Sequence, residues 1–146
     1  MLTYLDSSVL GRAYLADEPG HPEAVALLED PEVFLVTSTL TRIEVAGLLV
    51  RAARAGRCDQ SALLVALRAD LSVDGPVTTL VSPQSDVERV ALEIATTHGV
   101  RALDALHVAV AELVARALVD NDESVGFATR DTAQAAVARA YGFVCR

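Results

Sequence analysis

Short apolar runs alternate along the chain with longer stretches whose apolar residues recur every three or four positions. Leu2-Thr3-Tyr4-Leu5 is a strand-length run that stops at Asp6-Ser7-Ser8, where Ser7 or Ser8 can cap a short helix reaching about Leu15. Asp17-Glu18-Pro19-Gly20 breaks that helix, and a second one spans about His21 to Glu29. Val33 to Thr37 reads as a strand buried on both faces. Ser38 or Thr39 then opens a long helix to about Ala55, closed by Gly56. A helix over roughly Asp59 to Leu71 follows, then a strand at Val77 to Val81 and a helix from about Gln84 to His98. After Gly99 a nearly all-apolar helix runs from Ala102 to Leu118, and Asp120-Asn121-Asp122-Glu123 is a solvated loop. Val125 to Thr129 is a strand, about Asp131 to Ala140 a helix, and Phe143 to Cys145 a last edge strand. No repeat, linker or low-complexity segment interrupts the series, so one domain over residues 1–146 is expected. Strands alternating with helices predict an α/β fold, a three-layer α/β/α sandwich around a mainly parallel sheet.

Composition narrows the function classes. With 52% hydrophobic and 22% charged residues the chain is globular, and 4% aromatics suit helices on a small sheet better than a sandwich of sheets. The tract from Ala102 to Leu118 carries Asp104, His107, Glu112 and Arg116, which argues against a membrane span. No basic region followed by an apolar core opens the sequence, and a cytoplasmic location is expected. Cys58 and Cys145 lie far apart, as buried small side chains rather than a disulfide or zinc site. All 12 basic residues are arginine. Without lysine there is no P-loop. Phospho-aspartate enzymes, which also begin with a strand ending in Asp, are disfavoured for the same reason, and Ser8 stands where their phosphatases carry a second Asp. The formal net charge of −8 disfavours a nucleic-acid partner, but acids gathered in one cleft count against it only until a cation fills that cleft.

Individual acids carry the chemistry. Asp6 ends a strand and reads equally as a helix cap or as a group at the lip of a ligand crevice. Glu44 falls with Leu40, Ile43, Gly47, Leu48 and Arg51 on one helical face, inside an apolar stripe where an ionised carboxylate needs a cation or donors. A salt bridge, to Arg51 for instance, is the structural alternative. Asp104 sits in the first turn of an apolar helix, where the helix dipole also favours an acid. His107 lies near its face and reads as a packed, hydrogen-bonded core histidine. Glu112 and Arg116 form an exposed pair one turn apart. Asp131 repeats the placing of Asp6, at a strand end before a helix. Carboxylates crowded together repel, and an all-oxygen set selects a hard cation, Mg²⁺ or Mn²⁺.

The contexts Tyr-Leu-Asp6-Ser-Ser-Val-Leu, Arg-Ile-Glu44-Val-Ala, Leu-Asp104-Ala-Leu-His-Val-Ala and Phe-Ala-Thr-Arg-Asp131, in this order, resemble the PIN-domain ribonucleases. The likeness covers essentially the whole chain and is nearest to the VapC-type toxins of bacterial toxin–antitoxin pairs. It implies a metal-dependent endoribonuclease. Asp6, Glu44, Asp104 and Asp131 would hold one or two Mg²⁺ or Mn²⁺ ions, and a metal-bound water would attack phosphorus in line, leaving a 5′-phosphate and a 3′-hydroxyl. Ser8 and Thr129 would orient the carboxylates. Arg12, Arg42, Arg101 and Arg130 are candidate RNA phosphate contacts, and Arg51, Arg54 and Arg57 cluster at a helix end where the dipole favours them. The resemblance further implies a homodimer and a cognate antitoxin that presents an arginine to the acids. Leu63, Leu64, Leu67 and Leu71 supply either core or a dimer interface. Two other readings stay open: a housekeeping nuclease of RNA maturation or decay, and a binding module without chemistry.

Overall fold

A computed structural model of the chain describes residues 1–120 and 122–146; Asn121, in the expected solvated loop, lies outside the described residues. The strands are β1 (Leu2–Leu5), β2 (Phe34–Ser38), β3 (Val77–Leu80), β4 (Gly126–Ala128) and β5 (Val144–Cys145). The helices are α1 (Ser7–Tyr14), α2 (His21–Glu29), α3 (Thr39–Arg54), α4 (Gln60–Asp70), α5 (Gln84–His98), α6 (Ala102–Val110) and α7 (Thr132–Ala140). All strand pairs are parallel, in the order β3-β2-β1-β4-β5. Element order and layers match the sequence pattern.

A parallel sheet keeps its backbone polar groups away from water only if helices cover both faces. Alternation along β1 divides the core accordingly. Leu2 and Tyr4 pack with Val36, Phe127, Ile94, Val108 and Val137 beneath α5, α6 and α7. Leu5 packs with Leu10, Leu35, Leu49, Leu67 and Val77 beneath α1 to α4. Right-handed crossovers account for the division, because the chain winds outward from β1 to β3 and then returns across β1 to β4 and β5. Strand order therefore reverses between β1 and β4. The carboxyl ends of those strands leave an open crevice there, with no crossover connection above it.

Three expectations need correction. The tract from Ala102 to Leu118 is not one α-helix: α6 stops at Val110, a π-helical turn occupies Ala111–Ala115, and a 3₁₀ turn ends the segment at Arg116–Leu118. Ala111 and Ala115 are fully buried, so packing sets the local winding in a stretch whose apolar residues fit several periods. Phe34 is 56% exposed, because β2 begins at the sheet margin, and only Leu35 to Ser38 are enclosed. Arg116 does more than pair with Glu112: its guanidinium also donates to the Tyr141 carbonyl at 2.6 Å and lies over the Phe143 ring. Leu67 is core and Leu63, Leu64 and Leu71 pack against it. Both cysteines are free and half-buried. Among the described residues no helix is long and apolar enough to cross a membrane.

The β1–β4 pair that frames the crevice is closely fitted. A Cβ at Gly126 would stand 2.4 Å from Thr3 Oγ1, and that buried hydroxyl has no hydrogen-bond partner among the described residues. Gly126→Ala is expected to cost about 1–3 kcal/mol through overpacking. Thr3→Val, which removes the orphan hydroxyl at the same volume, is expected to hold or raise stability. Urea unfolding of both variants checks the pair; a neutral Gly126→Ala would contradict the fit described.

Candidate active site

Four acids reach the crevice from four elements. Asp6 follows β1, Asp131 precedes α7 just beyond β4, Glu44 projects from the second turn of α3, and Asp104 from the first turn of α6. All four line one open cavity of about 380 Å³, together with Ser8, Arg12, Arg101, His107 and Arg130.

Asp6 and Asp131 are helix caps as well as cavity groups. Asp6 Oδ2 accepts from the Ser8 backbone N–H at 3.0 Å, and Asp131 Oδ1 accepts from the Gln134 backbone N–H at 2.9 Å. Each cap uses one carboxylate oxygen, which leaves the other for further partners, Arg101 in the case of Asp131 and His107 with Gln134 in that of Asp6. The two readings of these residues are therefore compatible.

An arginine and a histidine of the chain meet the acids. Arg101 Nε stands 2.7 Å from Asp104 Oδ2 and its Nη2 2.8 Å from Asp131 Oδ2, while its side chain is 75% exposed. The Asp104 hydrogen bond, and then the two charges, push the guanidinium pKa further up. His107 is buried, with Nε2 at 2.6 Å from Glu44 Oε2 and 3.4 Å from Asp6 Oδ1. Its Nδ1 lies 2.8 Å from the Tyr4 hydroxyl. Burial pushes the Tyr4 phenol well above its ordinary pKa, with the Asp6 charge adding to the rise, so the hydroxyl stays protonated and is able to donate. A Tyr4 donor to Nδ1 leaves Nε2–H to donate to Glu44.

This geometry revises the sequence reading of Glu44. The enclosed face of α3 is Thr41, Val45, Leu49 and Ala52, whereas Ile43 is 67% exposed. Glu44 stands at the edge of the buried face, its side chain 23% exposed, and its partner is His107 rather than Arg51. The reading of His107 as a packed, hydrogen-bonded histidine agrees with its surroundings.

Ser8 differs from expectation too. Its backbone, not its hydroxyl, meets Asp6; the hydroxyl accepts from the Arg130 N–H at 3.0 Å and so ties the loop after β4 to the start of α1. Thr129 donates its hydroxyl to the Gln134 amide oxygen, accepts from Asp131 N–H at 3.1 Å, and stands 3.4 Å from Asp6 Oδ2. Gln134 went unnoticed in the sequence. It is fully buried, and its amide nitrogen faces Asp6 Oδ1 and the Asp104 carbonyl, each at 3.4 Å. The signal was present: Gln134 shares the apolar face of α7 with Val137 and Ala138, and a buried amide there requires partners. Arg42 is exposed on α3 and does not line the cavity.

In donor chemistry the acids fit a hard divalent cation, since they offer carboxylate oxygens in one place. Among the described residues, no three Asp, Glu, His or Cys side chains converge closely enough to enclose an ion as they stand. In this arrangement Arg101 offsets the charge of Asp104 and Asp131, and His107 gives Glu44 a hydrogen-bond partner.

The family model of the PIN domain matches residues 3–139. PAE2754 from Pyrobaculum aerophilum shares the fold with a TM-score of 0.68 at 23% identity, over 99% of this chain and 83% of that one. FitAcB from Neisseria gonorrhoeae is similar with a TM-score of 0.54 at 23% identity, over 98% of this chain and 95% of that one. No curated protein matches the chain in sequence.

Gln134→Leu removes the donor and acceptor that join Thr129 to Asp6 while keeping the volume, and is expected to cost about 2–3 kcal/mol in chemical unfolding. An unchanged midpoint would mean the amide is not holding this corner together. Arg101→Gln leaves Asp104 and Asp131 without their cation; its Tm without divalent ions is expected to fall at low salt, with the difference closing near ~1 M NaCl. A difference insensitive to salt would contradict charge compensation.

Proposed function

The chain belongs to the PIN domain family, and from that membership we propose that it is a nuclease of RNA, an endoribonuclease dependent on Mg²⁺ or Mn²⁺. One observation carries the reading. Asp6, Glu44, Asp104 and Asp131 are delivered by four separate elements to a single open cavity at the point where strand order reverses. A fold gains nothing in stability from such crowding, because like charges repel unless a cation is supplied.

Asp6, Asp104, Asp131 and Glu44 would hold the ion. When bound, the ion supplies Lewis acidity toward the phosphate and acidifies a water. The chain's residues do the rest. The Ser8 N–H and the Thr129–Gln134 pair fix the rotamer of Asp6, the Tyr4 hydroxyl and His107 fix Glu44, and the α7 cap fixes Asp131. These contacts limit how far the carboxylates must move to close on an ion, and so reduce reorganisation during the reaction.

Residues 1–146 would form one nuclease domain, and the four sequence contexts favour the toxin of a toxin–antitoxin pair, working in the cytoplasm as a homodimer under a cognate antitoxin. Expression that arrests growth, relieved by the product of an adjacent small open reading frame, supports that assignment; no arrest and no neighbour point to housekeeping RNA processing.

Purified protein is expected to cleave structured RNA with Mg²⁺ or Mn²⁺ and to stop when a chelator is added. Asp6→Asn is expected to lower the rate by about 10²-fold or more. Cleavage that continues in chelator, or an Asp6→Asn variant as fast as the parent, would defeat the mechanism.

A further inference from the structure

The arginines around the cavity are not equivalent. Arg101 is committed to Asp104 and Asp131. Arg12 and Arg130 line the same cavity, yet among the described residues neither guanidinium has a carboxylate within ion-pair distance or a hydrogen-bond acceptor. Glu23, which borders an adjacent hollow with Arg130, does not reach it.

The two side chains come from different parts of the chain and meet at one point. Arg130 Nη2 and Arg12 Nη1 lie 2.8 Å and 3.6 Å from the place where a Cβ on Gly20 would stand. Gly20 has φ of +85°, a conformation a glycine adopts freely, and its missing Cβ leaves room for Arg130. The backbones beneath are fixed. The Arg12 carbonyl lies 2.8 Å from His21 Nδ1, joining the end of α1 to the start of α2, and the Arg130 N–H is held by the Ser8 hydroxyl. Ser8 thereby joins the acid cluster, through its own N–H to Asp6, to the loop that carries Arg130.

Two guanidiniums brought together without an anion repel each other, and their planar forks match phosphate oxygens. We propose that Arg12 and Arg130 form a phosphate clamp, which grips a backbone phosphate next to the one presented to the acids. It rests on the nuclease reading only for the identity of the polymer; the anion site stands on the geometry. The clamp sets the acids' strand in register, as backbone contacts position a nucleic acid without reading its sequence. It would also let a chain of net charge −8 hold a polyanion, because Arg12 and Arg130 place positive charge at one rim of the cavity.

The test uses the full chain carrying Asp6→Asn, so that RNA is not consumed, and a fluorescein-labelled single-stranded RNA read by anisotropy across a salt series. Adding R12Q and R130Q is expected to weaken binding about tenfold or more and to lower the slope of log affinity against log salt by about 0.7–1.4. Arg68→Gln with Arg139→Gln, exposed arginines away from the cavity, makes the same change in net charge and is expected to leave the slope alone. Gly20→Ala changes no charge and is expected to weaken binding by displacing Arg130. Equal slopes for the clamp variant and its parent, or an equal loss in the control, would overturn the clamp. A second arm titrates inorganic phosphate into the wild-type chain and follows the arginine Nε–H resonances; shifts confined to Arg12 and Arg130 are expected, and none at either residue would overturn the clamp even where RNA is cleaved. Shifts at both in a protein that does not cleave RNA would leave the clamp and remove the nuclease reading.

Discussion

Crowding of carboxylates at the β1–β4 switch point is the constraint around which this molecule is arranged. Asp6 is almost wholly buried, and its surroundings consist of donors: the Ser8 N–H, the Thr129 hydroxyl, the Gln134 amide and the His107 imidazole. A buried carboxylate lacking such groups would be expensive. Three helices and two strands must be in place before those donors converge. The site is thus a product of the tertiary fold, and no single motif builds it.

Around Asp6 the structure separates two kinds of compensation. Buried polar groups, Tyr4 with His107 on one side and Thr129 with Gln134 on the other, are interior and rigid. Arg101 is on the surface, three-quarters exposed, and bridges Asp104 and Asp131. The first kind sets where the carboxylates point, while the second offsets their charge from an exposed side chain. Arg12 and Arg130, without anions of their own among the described residues, make a third group at the same rim. Positive and negative zones thereby lie next to each other in a single cavity, which suits a ligand that brings both a phosphate chain and a cation.

Much of this was legible in the sequence, though not always for the right reason. Asp6 and Asp131 stood out because a strand ending on an acid is a local pattern, and parallel topology brings such ends together. The three-and-four spacing places Glu44 on a stripe with Leu40 and Ile43, yet the enclosed face runs through Thr41, Val45 and Leu49. On a helix this rich in apolar residues the three-and-four spacing fits more than one face, and only packing decides between them. The winding change after Val110 escaped for the same reason, since an almost uniformly apolar tract has no phase to read. Gln134 and the true partner of the Ser8 hydroxyl depend on contacts more than a hundred residues apart for Asp6 and Arg130, which spacing along the chain does not encode.

In the proposed function the four acids form a cation site and not only a set of ion pairs. Calorimetric titration of the chain with Mn²⁺ alone, without RNA, addresses it most directly. Saturable binding of one or two ions is expected, weakened by about tenfold or more in Asp104→Asn, because the loss of a carboxylate removes both a ligand and a charge. Absence of binding at millimolar Mn²⁺, or binding that Asp104→Asn leaves unchanged, would contradict it.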